Sequence, residues 1–217
     1  TARIRPVRLF LSGPAGGVMG ALSEGKINNF KDLITVDIGG TSCDIALVSD
    51  AKPLIRQEGV IDKYLVRVPM VDVNAIGSGG GSIAWLDKAG GLKVGPQSAG
   101  SEPGPACYGR GGVEPTVTDA SLVLGLIDPE YFAGGRFNLD VDKAYNIILE
   151  KIANPLSLSV EEAALGIHRV LNSQMAEGIR FVSIKQGFDP RDFVLMGLGG
   201  GGPLHACELA SELNIQK

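Results

Sequence analysis

Apolar residues fall along this chain in two patterns. Val160, Ala164, Ile167, Leu171, Met175, Ile179 and Val182 follow one another at helical spacing, which predicts a long helix with one buried stripe. Ser159 and Glu162 form a capping box at its start. Two runs rich in β-branched residues, 33–37 and 45–48, lie between turn-forming residues and predict the two strands of a hairpin. A helix is expected over 14–22, with Ser12 as N-cap, Pro14 in the first turn and Gly25 as its stop. Shorter helices are expected from Asp119 and over 141–152. After Asp189-Pro190 a strand is expected over 193–196, then a helix from near Pro203. Trp85 and the run 66–71 read as core. Helices alternating with strands make this an α/β chain.

Glycine interrupts the pattern in clusters. Of the chain's 31 glycines, 20 gather at 12–20 (SGPAGGVMG), Gly39-Gly40, 77–81 (GSGGG), 100–112 (GSEPGPACYGRGG) and 197–202 (GLGGGG). No repeat of fixed period accompanies them. Gly16, Gly17 and Gly20 fall within the first expected helix, which predicts that a neighbour approaches it closely.

Composition narrows the classes. With 217 residues, 44% hydrophobic and 20% charged, there is chain enough for one large domain or two small lobes. A net charge of -4 and a pI near 5.2 provide no basic field, so neither nucleic acid nor an anionic membrane is an expected partner. No apolar run reaches the roughly 18 residues of a membrane span. Cys43, Cys107 and Cys207 are odd in number and far apart. They indicate neither a disulfide framework nor a zinc site and suit a reducing, cytoplasmic setting. The chain starts at Thr1 without a methionine and stops after a helical pattern, which reads as a piece of a longer protein.

The densest chemistry lies in residues 32–50, DLITVDIGGTSCDIALVSD. Gly39 and Gly40 let backbone N–H groups face a phosphate at close range, the Thr41 hydroxyl adds a donor, and Ser42 belongs to the same cofactor-binding turn. Asp37 and Asp44 flank this turn, and carboxylates repel phosphate unless a divalent cation stands between them. Mg2+ with a nucleotide reconciles the two. Asp37 is the expected contact to Mg2+, through water, and Asp37 and Asp44 are the candidate catalytic carboxylates. A strand rather than a helix follows the turn, which separates it from a Walker loop. The plainer reading is a Gly-Gly hairpin turn, with Asp37 as a turn former and Asp44 solvated.

The order of parts resembles the second half of the actin-like ATPase fold: a small-residue helix, a strand-D-x-G-G-T-strand hairpin, and later a strand, glycine loop and helix. Six segments narrow the resemblance: SGPAGGVMGA, VDIGGTSCDIALV, VRVPMVDVNAIGSGGGSIAW, VGPQSAGSEPGPACYGRGGVEPTVTDASLVLG, DPEYF and GFDPRDFVLMGLGGGGPLHA. Together they resemble the hydantoinase A/5-oxoprolinase family, which includes acetone and acetophenone carboxylase subunits, over nearly the whole chain. The resemblance implies a ribonuclease-H-like α/β domain, a mixed sheet flanked by helices. It makes the first helix the inter-lobe connection, the D-x-G-G-T hairpin the second phosphate loop, and Gly199, Gly200, Gly201 and Gly202 the adenosine-binding loop.

The resemblance also implies ATP and Mg2+ as cofactors and a small cyclic amide or ketone as substrate. ATP would phosphorylate the amide or carbonyl oxygen, so that a ring of the hydantoin or 5-oxoproline type can open. A hydantoinase B-type subunit or domain is the implied partner. Residues 1–217 would be the central domain, without the N-terminal phosphate-loop domain and the C-terminal remainder, and inactive by itself. Asn74 stands where the family pattern commonly has His, so no metal role is carried over to it.

Other residues keep two readings. Gly79, Gly80 and Gly81 with Ser82 form either an additional phosphate- or substrate-facing loop or a surface turn. Asp119 is either a helix N-cap or an active-site carboxylate. Cys107 has no His placed to activate it. His168 and His205 read as structural, His168 on a polar helix face. Three alternatives to ring opening stay open: an ATP-dependent ketone carboxylase subunit, a nucleotide-gated regulatory module of the actin-like kind, and a dinucleotide-binding domain. The last rests on Gly197, Gly199 and Gly202, which match G-x-G-x-x-G between a strand and a helix. It leaves the hairpin unexplained.

Overall fold

A computed structural model describes residue 3 and residues 6–9, 11–61 and 63–217. In chain order its strands are β1 (Leu33–Ile38), β2 (Cys43–Ser49), β3 (Lys52–Pro53), β4 (Ile55–Arg56), β5 (Gly59–Ile61), β6 (Tyr64–Val66), β7 (Met70–Val71), β8 (Val73–Ile76), β9 (Ser82–Leu86), β10 (Leu92–Ser98) and β11 (Val194–Leu198). Its helices are α1 (Ser12–Ile27), α2 (Val117–Val123), α3 (Val141–Ile148), α4 (Asn154–Leu156), α5 (Val160–Lys185) and α6 (Gly202–Leu213). The chain divides into two compact units, one of Thr1–Asp37, Asp44–Ile76 and Ala176–Lys217, the other of Ile38–Cys43 and Gly77–Met175.

The first unit is built on a five-stranded sheet in the order β11-β1-β2-β3, with β8 also paired to β2. β11 runs parallel to β1, from Leu33 opposite Val194 to Asp37 opposite Leu198. β1 and β2 are hydrogen-bonded neighbours joined by Gly39, Gly40, Thr41 and Ser42. So short a link excludes a parallel crossover, and the pair is the antiparallel hairpin expected from the sequence. Both strands are buried nearly throughout rather than on alternate faces, which is why they read as unbroken apolar runs. Val18 and Leu22 of α1 pack with Leu33, Ala46, Val48 and Val73, each such burial stabilising by about 1.5–3 kcal/mol.

Helix α1 corrects two expectations. Ser12 lies inside it, because Leu11 in the left-handed region makes the start and its carbonyl accepts the Ala15 N–H at 2.9 Å. Gly25 does not end it. The helix runs to Ile27, and Gly25 is needed for space, since a Cβ there would lie 2.7 Å from Leu33 Cδ1.

In the second unit, β9 and β10 form an antiparallel hairpin. Cys107, Leu122, Leu139 and Ala144 make a core lined by Tyr108, Phe132 and Phe137, with Tyr108 and Phe137 edge to face at 5.1 Å. The capping box of α5 is present: Glu162 N–H donates to Ser159 Oγ at 3.1 Å and Ser159 N–H to Glu162 Oε2 at 2.8 Å. Of the expected stripe, Val160, Ala164, Ile167, Leu171, Met175 and Ile179 are buried, and Val182 is half-buried.

Three further expectations change. The helix over 141–152 ends at Ile148 and passes through a π-helical turn, Leu149–Ala153, into α4. Trp85 is 39% exposed, held at the hairpin edge where its indole N–H donates to the Gly95 carbonyl at 2.9 Å. In the run 66–71 only Met70 is buried. Val66 ends β6 and Met70 begins β7, each strand in a two-stranded pair, β5 with β6 and β4 with β7, and residues 67–69 lie outside any strand, so little covers this run.

Candidate functional site

In the first unit, Asp37 stands near the end of β1, half-buried. Its register opposite Leu198 brings Asp37 and the start of the Gly199–Gly202 loop to one edge of the sheet. Helix α1 lies against this edge: a Cβ on Gly17 would sit 3.3 Å from Asp37 Oδ2 and 3.5 Å from Leu198 Cδ1. Gly17 therefore has the close neighbour the sequence predicts, whereas Gly16 and Gly20 face open space.

Asp44, half-buried on β2, has its carboxyl pKa raised, first by burial and second by the charge of Asp37. Neither carboxylate joins an ion pair among the described residues. Their excess negative charge is what a divalent cation relieves, so the pair fits Mg2+. No group of three or more His, Cys, Asp or Glu suited to a metal occurs among the described residues, including around Asn74. A cation held by Asp37 would take most of its ligands from water and a nucleotide, as Mg2+ commonly does.

The loop after β11 explains its own glycines. Gly199 has a φ of +74°, in the left-handed region. A Cβ on Gly197 would lie 3.0 Å from the Gly202 carbonyl oxygen and 3.1 Å from Ala206 Cβ, and one on Gly202 would lie 2.8 Å from the Gly197 carbonyl carbon. The G-x-G-x-x-G spacing thus follows from seating α6 on β11 and does not by itself call for a dinucleotide. Helix α6 starts without a side-chain cap and has Pro203 in its first turn. With no side chain capping it, the start of this helix can take an anion, and the Leu204 N–H already donates to the Gly201 carbonyl at 3.0 Å.

In the second unit, the turn is closed by Gly39 N–H donating to the Ser42 carbonyl at 3.0 Å. Gly39, Gly40 and Thr41 are exposed, and among the described residues the N–H groups of Gly40 and Thr41 have no protein acceptor. The carbonyls of the turn point the other way. Gly80 N–H donates to Gly39 O at 3.0 Å and Gly81 N–H to Gly40 O at 2.6 Å. Gly79 N–H donates to Ser82 Oγ at 2.9 Å, a hydroxyl with no exposed surface. All three glycine donors are engaged within the fold, so the loop does not present them to a phosphate or substrate, and it is not a surface turn either.

Asp119 is also internal. It is the N3 residue of a capping box whose N-cap is Thr116, not the N-cap itself. With no exposed surface, its carboxylate accepts from the N–H groups of Ala106 at 3.2 Å, Cys107 at 2.8 Å and Thr116 at 2.9 Å, and from Thr116 Oγ1 at 2.8 Å. Four donors saturate it, which assigns it to holding the 105–108 loop against α2. Cys107 is fully buried beside it, its thiol pKa pushed far up by burial and then by the Asp119 charge. A nucleophile requires the opposite. His168 lies on the buried side of α5, not on a polar face, with Nε2 at 2.8 Å from Ser121 Oγ. The spacing T-x-x-D at 116–119 is the sequence signal for the capping box that names Asp119.

A mixed sheet flanked by helices, with a D-x-G-G-T hairpin and a strand, glycine loop and helix unit on neighbouring strands, is consistent with an actin-like ATPase-type domain. The profile of the hydantoinase/oxoprolinase family matches residues 1–217, and the chain belongs to that family. It is 47% identical over 211 residues to the caprolactamase subunit alpha of Pseudomonas jessenii, covering 97% of this chain and 30% of that one. It is 45% identical over 210 residues to the acetophenone carboxylase gamma subunit of Aromatoleum aromaticum, covering 95% and 28%. The crystal structure of the ATP-dependent caprolactamase from Pseudomonas jessenii superposes with a TM-score of 0.85 over 94% of this chain and 30% of that chain. This chain therefore spans less than a third of the length of each of these relatives.

Proposed function

We propose that this chain is the central domain of an ATP-dependent subunit, where it holds the phosphates of Mg2+-bound ATP, and that the subunit uses the nucleotide to open a cyclic amide. The register of Asp37 opposite Leu198 carries the reading, because the D-x-G-G-T strand and the glycine-loop strand end side by side. The N–H groups of Gly40 and Thr41 and the Thr41 hydroxyl would meet phosphate oxygens, with Ser42 closing the turn. The loop Gly199, Gly200, Gly201 and Gly202 would support the adenosine end. Mg2+, when bound, supplies charge neutralisation at the phosphates. Asp37 would hold it through water, and Asp44 would keep the site negative enough to retain it.

An unstrained amide opens slowly, and phosphorylation of its oxygen overcomes that. The amide oxygen attacks the γ-phosphorus and ADP leaves. Water adds to the activated carbon, and the C–N bond breaks to free the amine and leave an acyl phosphate. A second water hydrolyses that, releasing phosphate and the opened amino acid. The protein contributes chiefly position and fixed charge. Identity of 47% to a caprolactamase subunit supports the ring-opening reading. The 45% identity to an acetophenone carboxylase subunit supports a second one, activation of a ketone for carboxylation at the same nucleotide site. The relatives' designations as alpha and gamma subunits support a hetero-oligomer, in which the family resemblance makes a hydantoinase B-type subunit or domain the partner. The odd number and wide spacing of Cys43, Cys107 and Cys207 suit a reducing cytoplasm. No helix among the described residues is long and apolar enough to cross a membrane.

Calorimetric titration with Mg·ATP, and with ATP in EDTA, tests the nucleotide reading. Saturable, Mg2+-dependent heat is expected, and its absence at about 1 mM ATP, which corresponds to roughly 4 kcal/mol of binding, overturns it. Phosphate release from the full-length subunit with its partner, with a lactam or with bicarbonate and a ketone, decides between the two reactions.

A further inference from the structure

The strand-to-strand turn at Gly39–Ser42 rests on a second layer of backbone. Gly79 and Gly81 are buried and Gly80 half-buried, and none of the three has a left-handed φ. Their being glycine is therefore not demanded by a turn conformation. It is demanded by space. A Cβ on Gly79 would lie 2.8 Å from Gly39 O, 2.9 Å from Ser42 N and 3.0 Å from Gly40 C. A Cβ on Gly81 would lie 2.9 Å from Gly40 O. These contacts are with backbone, which cannot swing aside as a flexible side chain does.

The layer is fixed from behind by α2. Thr118, 8% exposed, donates twice to the Gly80 carbonyl, through its N–H at 2.8 Å and through Oγ1 at 2.8 Å. A Cβ on Gly80 would meet that same Oγ1 at 2.8 Å. Gly80 thus accepts from Thr118 on one side and donates to Gly39 on the other, and the far face of the Gly39–Ser42 turn is exposed. We propose that Gly79, Gly80 and Gly81, held by Thr118, are positioning residues for that turn. They fix where the Gly40 and Thr41 amides stand toward a polyphosphate, and they touch no ligand themselves. The inference rests on the nucleotide reading and deepens it, because it requires the phosphates, not the nucleoside, to be the part of the ligand that the turn receives.

The test compares the wild-type chain with Gly79→Ala, Thr118→Val and Thr118→Ser. Two quantities are measured: the NMR shifts of the Gly40 and Thr41 amides without nucleotide, and the affinities for Mg·ATP and for adenosine. Gly79→Ala pushes the turn directly. Thr118→Val removes one hydrogen bond at nearly constant volume and keeps the proposal testable if the alanine variant does not fold. Thr118→Ser retains the hydroxyl. In both disruptive variants the two amide shifts are expected to move before any nucleotide is added. Mg·ATP affinity should fall about tenfold or more, as small misplacements of binding groups do, with adenosine affinity unchanged and Thr118→Ser close to wild type. Unmoved amide shifts, or equal losses for Mg·ATP and adenosine, overturn the proposal, since general loosening of the fold affects both ligands. If the wild-type chain takes up no Mg·ATP while the amide shifts of the variants still move, it is the nucleotide reading that fails and the mechanical support of the turn that stands.

Discussion

Gly17 of α1 and Asp37 of β1 meet so closely that a β-carbon on the glycine would lie 3.3 Å from the carboxylate Oδ2. One methyl can be accommodated by a few tenths of an ångström of movement, and alanine regains about 1 kcal/mol of helix propensity. A branched side chain cannot be accommodated so cheaply. Gly17→Val is expected to destabilise the chain by about 1–3 kcal/mol through overpacking and to turn Asp37 away from its place, whereas Gly17→Ala stays near wild type. Urea unfolding of both variants, with Mg·ATP titration of each, checks this. A valine variant that bound Mg·ATP as wild type does would show that Asp37 takes no part in holding the cation.

Asp44 gives a prediction with a defined sign. Burial and then the charge of Asp37 raise its carboxyl pKa in the folded chain. The stability this group contributes is present below the ordinary carboxylate value and is lost as pH rises through the raised one. Asp44→Asn is therefore expected to raise Tm at pH 7 and to change it less at pH 3. In Asp37→Asn the Asp44 carboxyl should titrate lower than in wild type but still above an ordinary Asp, because burial is the larger cause. Carboxyl titration by NMR reads both effects, and an unchanged Asp44 pKa in Asp37→Asn would contradict the coupling.

Much of this was legible in the sequence wherever a local rule and the tertiary structure agree. The capping box at Ser159 and Glu162, the apolar stripe of α5, the hairpin around Gly39 and the existence of a strand before Gly199 all follow from periodicity and turn chemistry. Glycine was where reading one residue at a time reached its limit. Gly17, Gly25, Gly79 and Gly197 are glycine because of what lies opposite in space, and the sequence carries no record of that neighbour. Gly199 is glycine because of its own φ, yet looks the same in the sequence. Asp119 was ambiguous for a related reason: a T-x-x-D box announces a cap, but not that the same carboxylate also holds Ala106 and Cys107, more than ten residues away.

Asp119 should accordingly be a stability residue. Asp119→Ala would strand the buried N–H groups of Ala106, Cys107 and Thr116 and the Thr116 hydroxyl. Each unsatisfied buried donor carries a cost, and the total is expected to be about 3 kcal/mol or more. Asp119→Asn keeps one acceptor oxygen and should lose less. Denaturant midpoints rank the two, and an alanine variant as stable as wild type would mean that water replaces the carboxylate in full.

The same carboxylate makes Cys107 a reporter of that loop. Cys107 has no exposed surface, and burial followed by the negative charge of Asp119 pushes its thiol pKa well above the usual range. Thiol reagents attack the thiolate, so both accessibility and ionisation protect Cys107. Cys43 is buried as well, whereas Cys207 on α6 is exposed. With an aromatic disulfide reagent at pH 8, one of the three thiols should react rapidly in the folded chain, and mass spectrometry should place the label on Cys207. Asp119→Ala separates the two protections. It removes the charge that disfavours the thiolate and also the hydrogen bond that holds the Cys107 N–H at 2.8 Å, so Cys107 labelling should accelerate in that variant while Cys207 labelling does not. If Cys107 in the folded wild-type chain were labelled as fast as Cys207, the 105–108 loop would have to open freely, and the assignment of Asp119 as the group that holds it would be wrong.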